Sequence, residues 1–136
     1  MDNEKKDIRW KQRFQNFEKA FLLLERTLGI KNPSEAEKGG LIQFYEMSFE
    51  LAWKLMKDYL DELGFTVNSP REAIKQAFQS GIIENGQEWI DALEDRNLTT
   101  HTYDEGTAEK VVSTIRTSYF PMLRQVYLGL SKEVKR

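Results

Sequence analysis

LIQFYEMSFELAWKLMKDYLDEL, residues 41–63, carries two interleaved apolar series. Ile42, Tyr45, Phe49, Ala52, Met56, Tyr59 and Leu63 alternate steps of three and four, the spacing that gathers side chains on one face of an α-helix. Leu41, Phe44, Leu51 and Leu55 form a second stripe beside the first. At about 100° per residue the stripes merge into an apolar arc of roughly 200°. A surface helix of a monomer needs only about half of that. The segment is therefore the central helix of a bundle, or a helix covered by a partner.

The flanks extend the helical pattern. Upstream, Trp10, Phe14, Phe17, Phe21, Leu24 and Leu28 mark one face of a helix that Gly29 stops. Ser34 followed by Glu37 forms a capping-box pattern, although Gly39–Gly40 argues for a start nearer Leu41. Downstream, Gly64 ends the central helix, and Ser69–Pro70–Arg71–Glu72 opens a short one that Gly81 closes. After the Asn85–Gly86 turn, a helix carries Trp89, Ile90 and Leu93 into Asp95–Arg96–Asn97. Threonines at 99, 100 and 102 are poor helix formers, so this helix is expected to end near Thr99 or Thr100 with His101 at or just beyond its end. Thr107 can cap a last helix carrying Val112, Ile115, Tyr119, Met122 and Val126, which Pro121 should kink. No segment has the period of a strand. The expectation is an all-α, up-and-down four-helix-type bundle with one short extra helix, residues 1–136 forming a single domain.

Composition narrows the chemistry. The chain has 136 residues, 20 basic against 22 acidic, and a formal net charge of -2, without the concentrated basic excess of a dedicated nucleic-acid binder. Cysteine is absent, which excludes disulfides, thiolate zinc sites and cysteine nucleophiles. The longest apolar run, Ala20–Leu24, falls far short of the roughly 20 residues of a membrane span. No membrane association is indicated, and the cytoplasm is the expected location. Neither a phosphate-binding glycine loop nor an H-E-x-x-H metal motif occurs, and nothing calls for a metal or cofactor.

The segment richest in chemistry is Asp95–Arg96–Asn97–Leu98–Thr99–Thr100–His101–Thr102–Tyr103–Asp104–Glu105, with the chain's one histidine. Histidine titrates near neutral pH and suits acid–base work, while arginine holds phosphates or developing negative charge. Five residues on a continuous helix separate Arg96 and His101 by about 140°, so they converge only if the helix ends between them or a second chain supplies the partner. Arg96 and Tyr103, seven apart, would share a face. The plain alternative is a solvated helix end whose histidine satisfies backbone carbonyls.

Arg96–Asn97–x–x–x–His101–x–Tyr103 resembles the R-x4-H-x-Y signature of the HEPN superfamily. Further stretches resemble one branch of it, the nucleotidyltransferase substrate-binding proteins: Trp10–Lys11–Gln12–Arg13–Phe14–x–Asn16–Phe17, Phe49–Glu50–Leu51–Ala52–Trp53–Lys54, Ser69–Pro70–Arg71 and Asp95–Arg96–Asn97. The resemblance runs from about Trp10 to Leu130. It implies a helical bundle, often a homodimer, acting beside a separately encoded minimal nucleotidyltransferase. In related toxin–antitoxin pairs the helical protein is a ribonuclease that its nucleotidyltransferase silences by adenylating the motif tyrosine. Carried over, Arg96 and His101 would be the catalytic pair and Tyr103 the modified residue, with nucleotide or RNA as ligand.

The residues themselves support a nuclease only in part. Metal-free RNA cleavage needs an acid and a base, so with one histidine per chain it would demand a dimer. Asp91, Glu94, Asp95, Asp104 and Glu105 bracket the motif and would repel a phosphate backbone. A binding subunit is therefore the preferred reading, with Arg96, Asn97, His101, Tyr103, Glu50 and Lys54 as its substrate-contact residues. Glu50 and Lys54, four apart, otherwise make a solvated ion pair, and Trp53 at the edge of the arc would belong to the core.

Overall fold

A computed structural model describes residues 2–96 and 105–136. Six α-helices follow in order: α1 (Asp2–Leu28), α2 (Glu35–Glu62), α3 (Pro70–Gln79), α4 (Gly86–Asp95), α5 (Glu105–Thr114) and α6 (Phe120–Val134). A five-residue π-helical turn, Ile115–Tyr119, joins α5 to α6 into one helical run. The described residues contain no strand, and the fold is the all-α bundle that the apolar spacing anticipates. Its long members are α1, α2 and the run from Glu105 to Val134; α3 and α4 are ten residues each. No described helix is long and apolar enough to cross a membrane.

The central position falls to α2. Leu41, Ile42, Tyr45, Phe49, Ala52, Leu55, Met56 and Leu60 are buried along it, and α1, α3, α5 and α6 all pack against it. Elsewhere along its arc Phe44, Leu51 and Tyr59 are partly covered, and Leu63 stays 49% exposed. Ser48, its buried polar residue, donates 2.7 Å back to the Phe44 carbonyl. α1 runs antiparallel to α2: the Trp10 ring meets Tyr59 edge-on at 4.7 Å, and Arg13 reaches Asp58 at 3.0 Å. Along its other side Phe14, Phe17 and Phe21 pack on Tyr127 of α6, and Phe21 stacks on Phe120. Each such buried ring contributes roughly 1.5–3 kcal/mol relative to exposure.

Several boundaries move from their expected places. The Ser34–Glu37 capping box forms in full, Glu37 N–H donating to the Ser34 hydroxyl at 3.1 Å and Ser34 N–H to the Glu37 carboxylate at 2.9 Å. The helix therefore starts at Glu35 and runs through Gly39–Gly40 rather than beginning near Leu41. Two glycines cost about 1 kcal/mol each in a helix interior, which the capped start and the packing of Leu41 and Ile42 offset. Gly64 and Gly81 close α2 and α3 with φ of 96° and 78°, the left-handed region a side chain disfavours. The last helical run begins at Glu105, not at a cap by Thr107.

Pro121, where a kink is expected, lies just after a wider turn. Proline lacks an N–H and its ring crowds the carbonyl four residues earlier. The π-helical turn lies immediately upstream, with Phe120 N–H donating to the Ile115 carbonyl, and the helix continues. Such turns mark positions where a helix carries one residue too many for its regular ladder.

Candidate functional site

α4 ends at Asp95, and Arg96 lies in the turn that follows. The expected helix end near Thr99 or Thr100 lies outside the described residues. Asn97, His101 and Tyr103 lie outside the described residues, as does the expected convergence of His101 with Arg96. Arg96 itself is placed, and it points to an unexpected partner.

Its guanidinium donates to the Glu50 carboxylate at 3.1 Å across 46 residues of sequence. The other Glu50 oxygen accepts from the Trp53 indole N–H at 2.8 Å. The expected Glu50–Lys54 ion pair is not among those formed by the described residues. Arg96 and Trp53 thus engage one oxygen each of the same carboxylate. Trp53 is consequently half-buried against the core yet tied back along α2 through its polar edge.

Tyr45, Glu46, Phe49, Glu50, Trp53, Lys54, Pro70 and Arg96 line a cleft of about 520 Å³, within the size range of small-molecule sites. Three of the four stretches that carry the family resemblance meet there: the Phe49–Lys54 turn of α2, Pro70 at the start of α3, and Arg96 after α4. The fourth, Trp10–Phe17, instead locks α1 to α2 and α6. Two cations and two carboxylates among the lining side chains make the cleft formally neutral. Arg71, beside Pro70, pairs outside the cleft with Glu94 at 3.4 Å.

Behind Arg96 the backbone is held by a clamp that no local pattern announces. The Tyr119 hydroxyl, at the end of the π-helical turn, donates to Asp95 at 2.5 Å. Burial, and then this hydrogen bond to a carboxylate, push the Tyr119 phenol far above its usual range. Tyr119 also stacks on Tyr45 at 5.3 Å. Burial likewise raises the Tyr45 hydroxyl, which is buried and has no hydrogen-bond partner among the described residues. A buried, unpaired hydroxyl is costly.

The acidic residues gather on the other side of this clamp. Glu88, Asp91, Glu94 and Asp95 line a second recess of about 390 Å³ with Thr114, Ser118 and Tyr119. Among the described residues no set of three or more converges as a metal site would. Asp104 lies outside the described residues, and the Glu105 side chain is likewise not described.

Residues 12–132 match the family model described as nucleotidyltransferase substrate binding protein like. A curated relative from Haemophilus influenzae, named probable ribonuclease HepT, is 30% identical over 81 residues, 56% of this chain. The alignment spans only 56% of that relative's length. Among solved structures, a Thermus thermophilus protein superposes with a TM-score of 0.76 at 29% identity, over 88% of this chain and 99% of its own. A Haemophilus influenzae protein, described as revealing the fold of a substrate binding domain of a nucleotidyltransferase, has a TM-score of 0.73 at 23% identity, over 90% and 99% of the two chains. At that identity the second likeness speaks to the fold.

Proposed function

The chain belongs to the family of nucleotidyltransferase substrate-binding-like proteins, and on that premise we propose that residues 1–136 act as one binding domain, holding a substrate or nucleotide beside a minimal nucleotidyltransferase. The observation that carries this reading is the meeting of Phe49, Glu50, Trp53, Lys54, Pro70 and Arg96 around one cleft. Arg96 and Lys54 supply charge for a ligand, Glu50 orients Arg96, and Asn97, His101 and Tyr103 follow within seven residues of Arg96 in sequence. The domain works in the cytoplasm and needs no metal or cofactor of its own. Its pairing as a homodimer rests on the family resemblance.

A second reading has one observation in its favour, the likeness to a probable ribonuclease over part of the chain. In it Arg96 and His101 cleave RNA in a dimer and the nucleotidyltransferase silences the toxin by adenylating Tyr103. The charge around Arg96 weighs against it: Glu50 occupies the guanidinium, and Glu88, Asp91, Glu94 and Asp95 lie behind it. Carboxylates there oppose the approach of a polyanionic backbone.

One experiment separates the two. The chain is mixed with the minimal nucleotidyltransferase of the same organism, ATP and Mg²⁺, and followed by size exclusion and intact mass. A stable complex with unchanged mass is the expected result. Mass added in nucleotide-sized steps, abolished by Tyr103→Phe, would establish the toxin–antitoxin reading instead. Absence of any complex would overturn both.

A further inference from the structure

The seam between α1 and α2 is closed on its core side and open on its outer side. Gly40, Phe44, Met47, Leu51, Lys54 and Asp58 follow one another along α2 at steps of four and three, so they share one face. That face borders α1, because Arg13 reaches Asp58 at 3.0 Å. On α1, Asn16, Ala20 and Leu23 continue the stripe of Arg13 at the same steps. The antiparallel register set by Trp10 on Tyr59 and Arg13 on Asp58 brings Leu23 level with Met47. Leu23, Phe44 and Leu51 are half-covered and Met47 is 43% exposed, which leaves an apolar strip about 10 Å long. At one end of it Gly40 has nothing within 4 Å of where a side chain would begin. Glycine weakens a helix interior, and no packing among the described residues explains this one; it leaves room for another backbone to come close. Cations ring the strip. Lys19 and Arg26 are exposed on the face of Leu23, Lys54 follows Leu51, and none of the three forms an ion pair among the described residues. Asp58, the carboxylate at the end of the strip, is already taken by Arg13.

Resting on the binding-subunit reading, we propose that the nucleotidyltransferase docks on this seam through an amphipathic helix. The helix lays a ridge of Leu, Ile or Met side chains along Met47 and Leu51 and turns Asp or Glu towards Lys19, Arg26 and Lys54. Shape favours a helix: two antiparallel helices leave a groove that a third fills with a single apolar stripe, at about 8–10 Å between axes. Charge sets its flanks, since unpaired cations around an apolar floor complement carboxylates. A second copy fits less well, because its own strip would bring the same cations against Lys19, Arg26 and Lys54. A nucleic acid also fits less well: the floor is mostly aliphatic, whereas bases need ring faces to stack on. The position suits the partner as well. Lys54 borders the Arg96 cleft too, so a helix seated on the seam brings the nucleotidyltransferase to the edge of that cleft.

The test mixes the full chain with the nucleotidyltransferase of the same organism and measures the affinity of the complex by calorimetry at low and high salt. Helicity and urea midpoints check that each variant folds. The wild-type complex should weaken as salt rises. Met47→Glu puts a carboxylate on the strip at a solvent-exposed position and should weaken the complex at least about thirtyfold. Lys19→Glu combined with Arg26→Glu should weaken it about tenfold and flatten the salt dependence. Both of those side chains are exposed, so the pair tests the seam even where Met47→Glu disturbs folding. Phe78→Glu, at a comparably exposed ring on α3, should leave the affinity unchanged. A complex indifferent to the folded seam variants, or one weakened equally by Phe78→Glu, overturns this inference and leaves the subunit reading standing. A wild-type chain that forms no complex overturns both. If the seam variants instead split a homodimer and leave the complex with the nucleotidyltransferase intact, the strip belongs to a second copy and the inference is wrong.

Discussion

Arg96 and Glu50 stand 3.1 Å apart although 46 residues separate them, and the contact joins the end of α4 to the middle of α2. Both side chains keep substantial exposure, 36% and 42%, so water screens the pair. Solvent-accessible ion pairs contribute about 0.2–1 kcal/mol. Glu50→Gln, which removes the charge on this pair, should therefore lower the unfolding free energy by less than about 1 kcal/mol in urea, while Arg96→Met should abolish ligand binding at the cleft. A stability loss several times larger would make Arg96 a structural strut and remove it from the functional site.

That contact also marks the limit of what is legible in the sequence. The helical character of α2, the capping box of Ser34 and Glu37, and the proline-led start of α3 are local patterns within a few residues, and all three form. Gly39–Gly40 misleads because intrinsic propensity is weak beside a capped start and buried neighbours at Leu41 and Ile42. The pairing of Glu50 with Lys54 is a local expectation too, and a long-range competitor displaces it. Glu50, Lys54 and Arg96 each stand out as candidates in sequence, but their gathering into one cleft depends on how α3 and α4 fold back onto α2. Pro70 reads as a helix start within a stretch that carries the family resemblance, and nothing local shows that it also forms a wall of the cleft. Tyr45 and Tyr119 read as core, and nothing near them in sequence marks the hydrogen bond from Tyr119 to Asp95, 24 residues away.

Tyr45→Phe should not destabilise the protein, and should raise its stability by up to about 1 kcal/mol. The ring packs between Phe49 and Tyr119 and would be retained, while the hydroxyl is buried without a partner among the described residues. Deleting a polar atom that makes no bond removes an uncompensated desolvation cost. Denaturant midpoints of the two proteins decide the matter. A loss above about 1 kcal/mol would mean that the hydroxyl has a partner in solution.

Alkaline pH should unfold the chain earlier than its size alone suggests. The Tyr127 phenol, donating to Glu18 at 2.7 Å, is raised from 10.0 to about 12, the carboxylate contact being the main cause and burial the second. The folded protein therefore holds this proton while the unfolded chain releases it. The contribution is complete below pH 10 and is lost as pH climbs towards about 12. Tyr119, Tyr45 and Tyr59 shift in the same direction. Helicity measured from pH 8 to 12 should fall on this limb, and Tyr127→Phe should flatten it. An identical alkaline limb in that variant would exclude Tyr127 as a contributor.

The hydrogen bond from Tyr119 to Asp95 leads to the last prediction, because it should act on the cleft without touching a ligand. Asp95 is the final residue of α4 and Arg96 comes next, so tethering one restricts the other. The tether is itself anchored: Tyr119 closes the π-helical turn and stacks on Tyr45, which lines the cleft. Tyr119→Phe keeps the ring and the stack and removes only the donor. A hydrogen bond to a carboxylate contributes about 1.5–3 kcal/mol, and a stability loss of that order is expected. Asp95→Asn should cost less, since an amide oxygen can still accept, and the double variant should fall short of the sum of the two singles. Ligand affinity at the cleft should drop in Tyr119→Phe and in Glu50→Gln, and the two losses should be less than additive, since both groups restrain Arg96. Full additivity of Tyr119→Phe with Glu50→Gln in binding would show that the clamp stabilises the bundle without positioning Arg96.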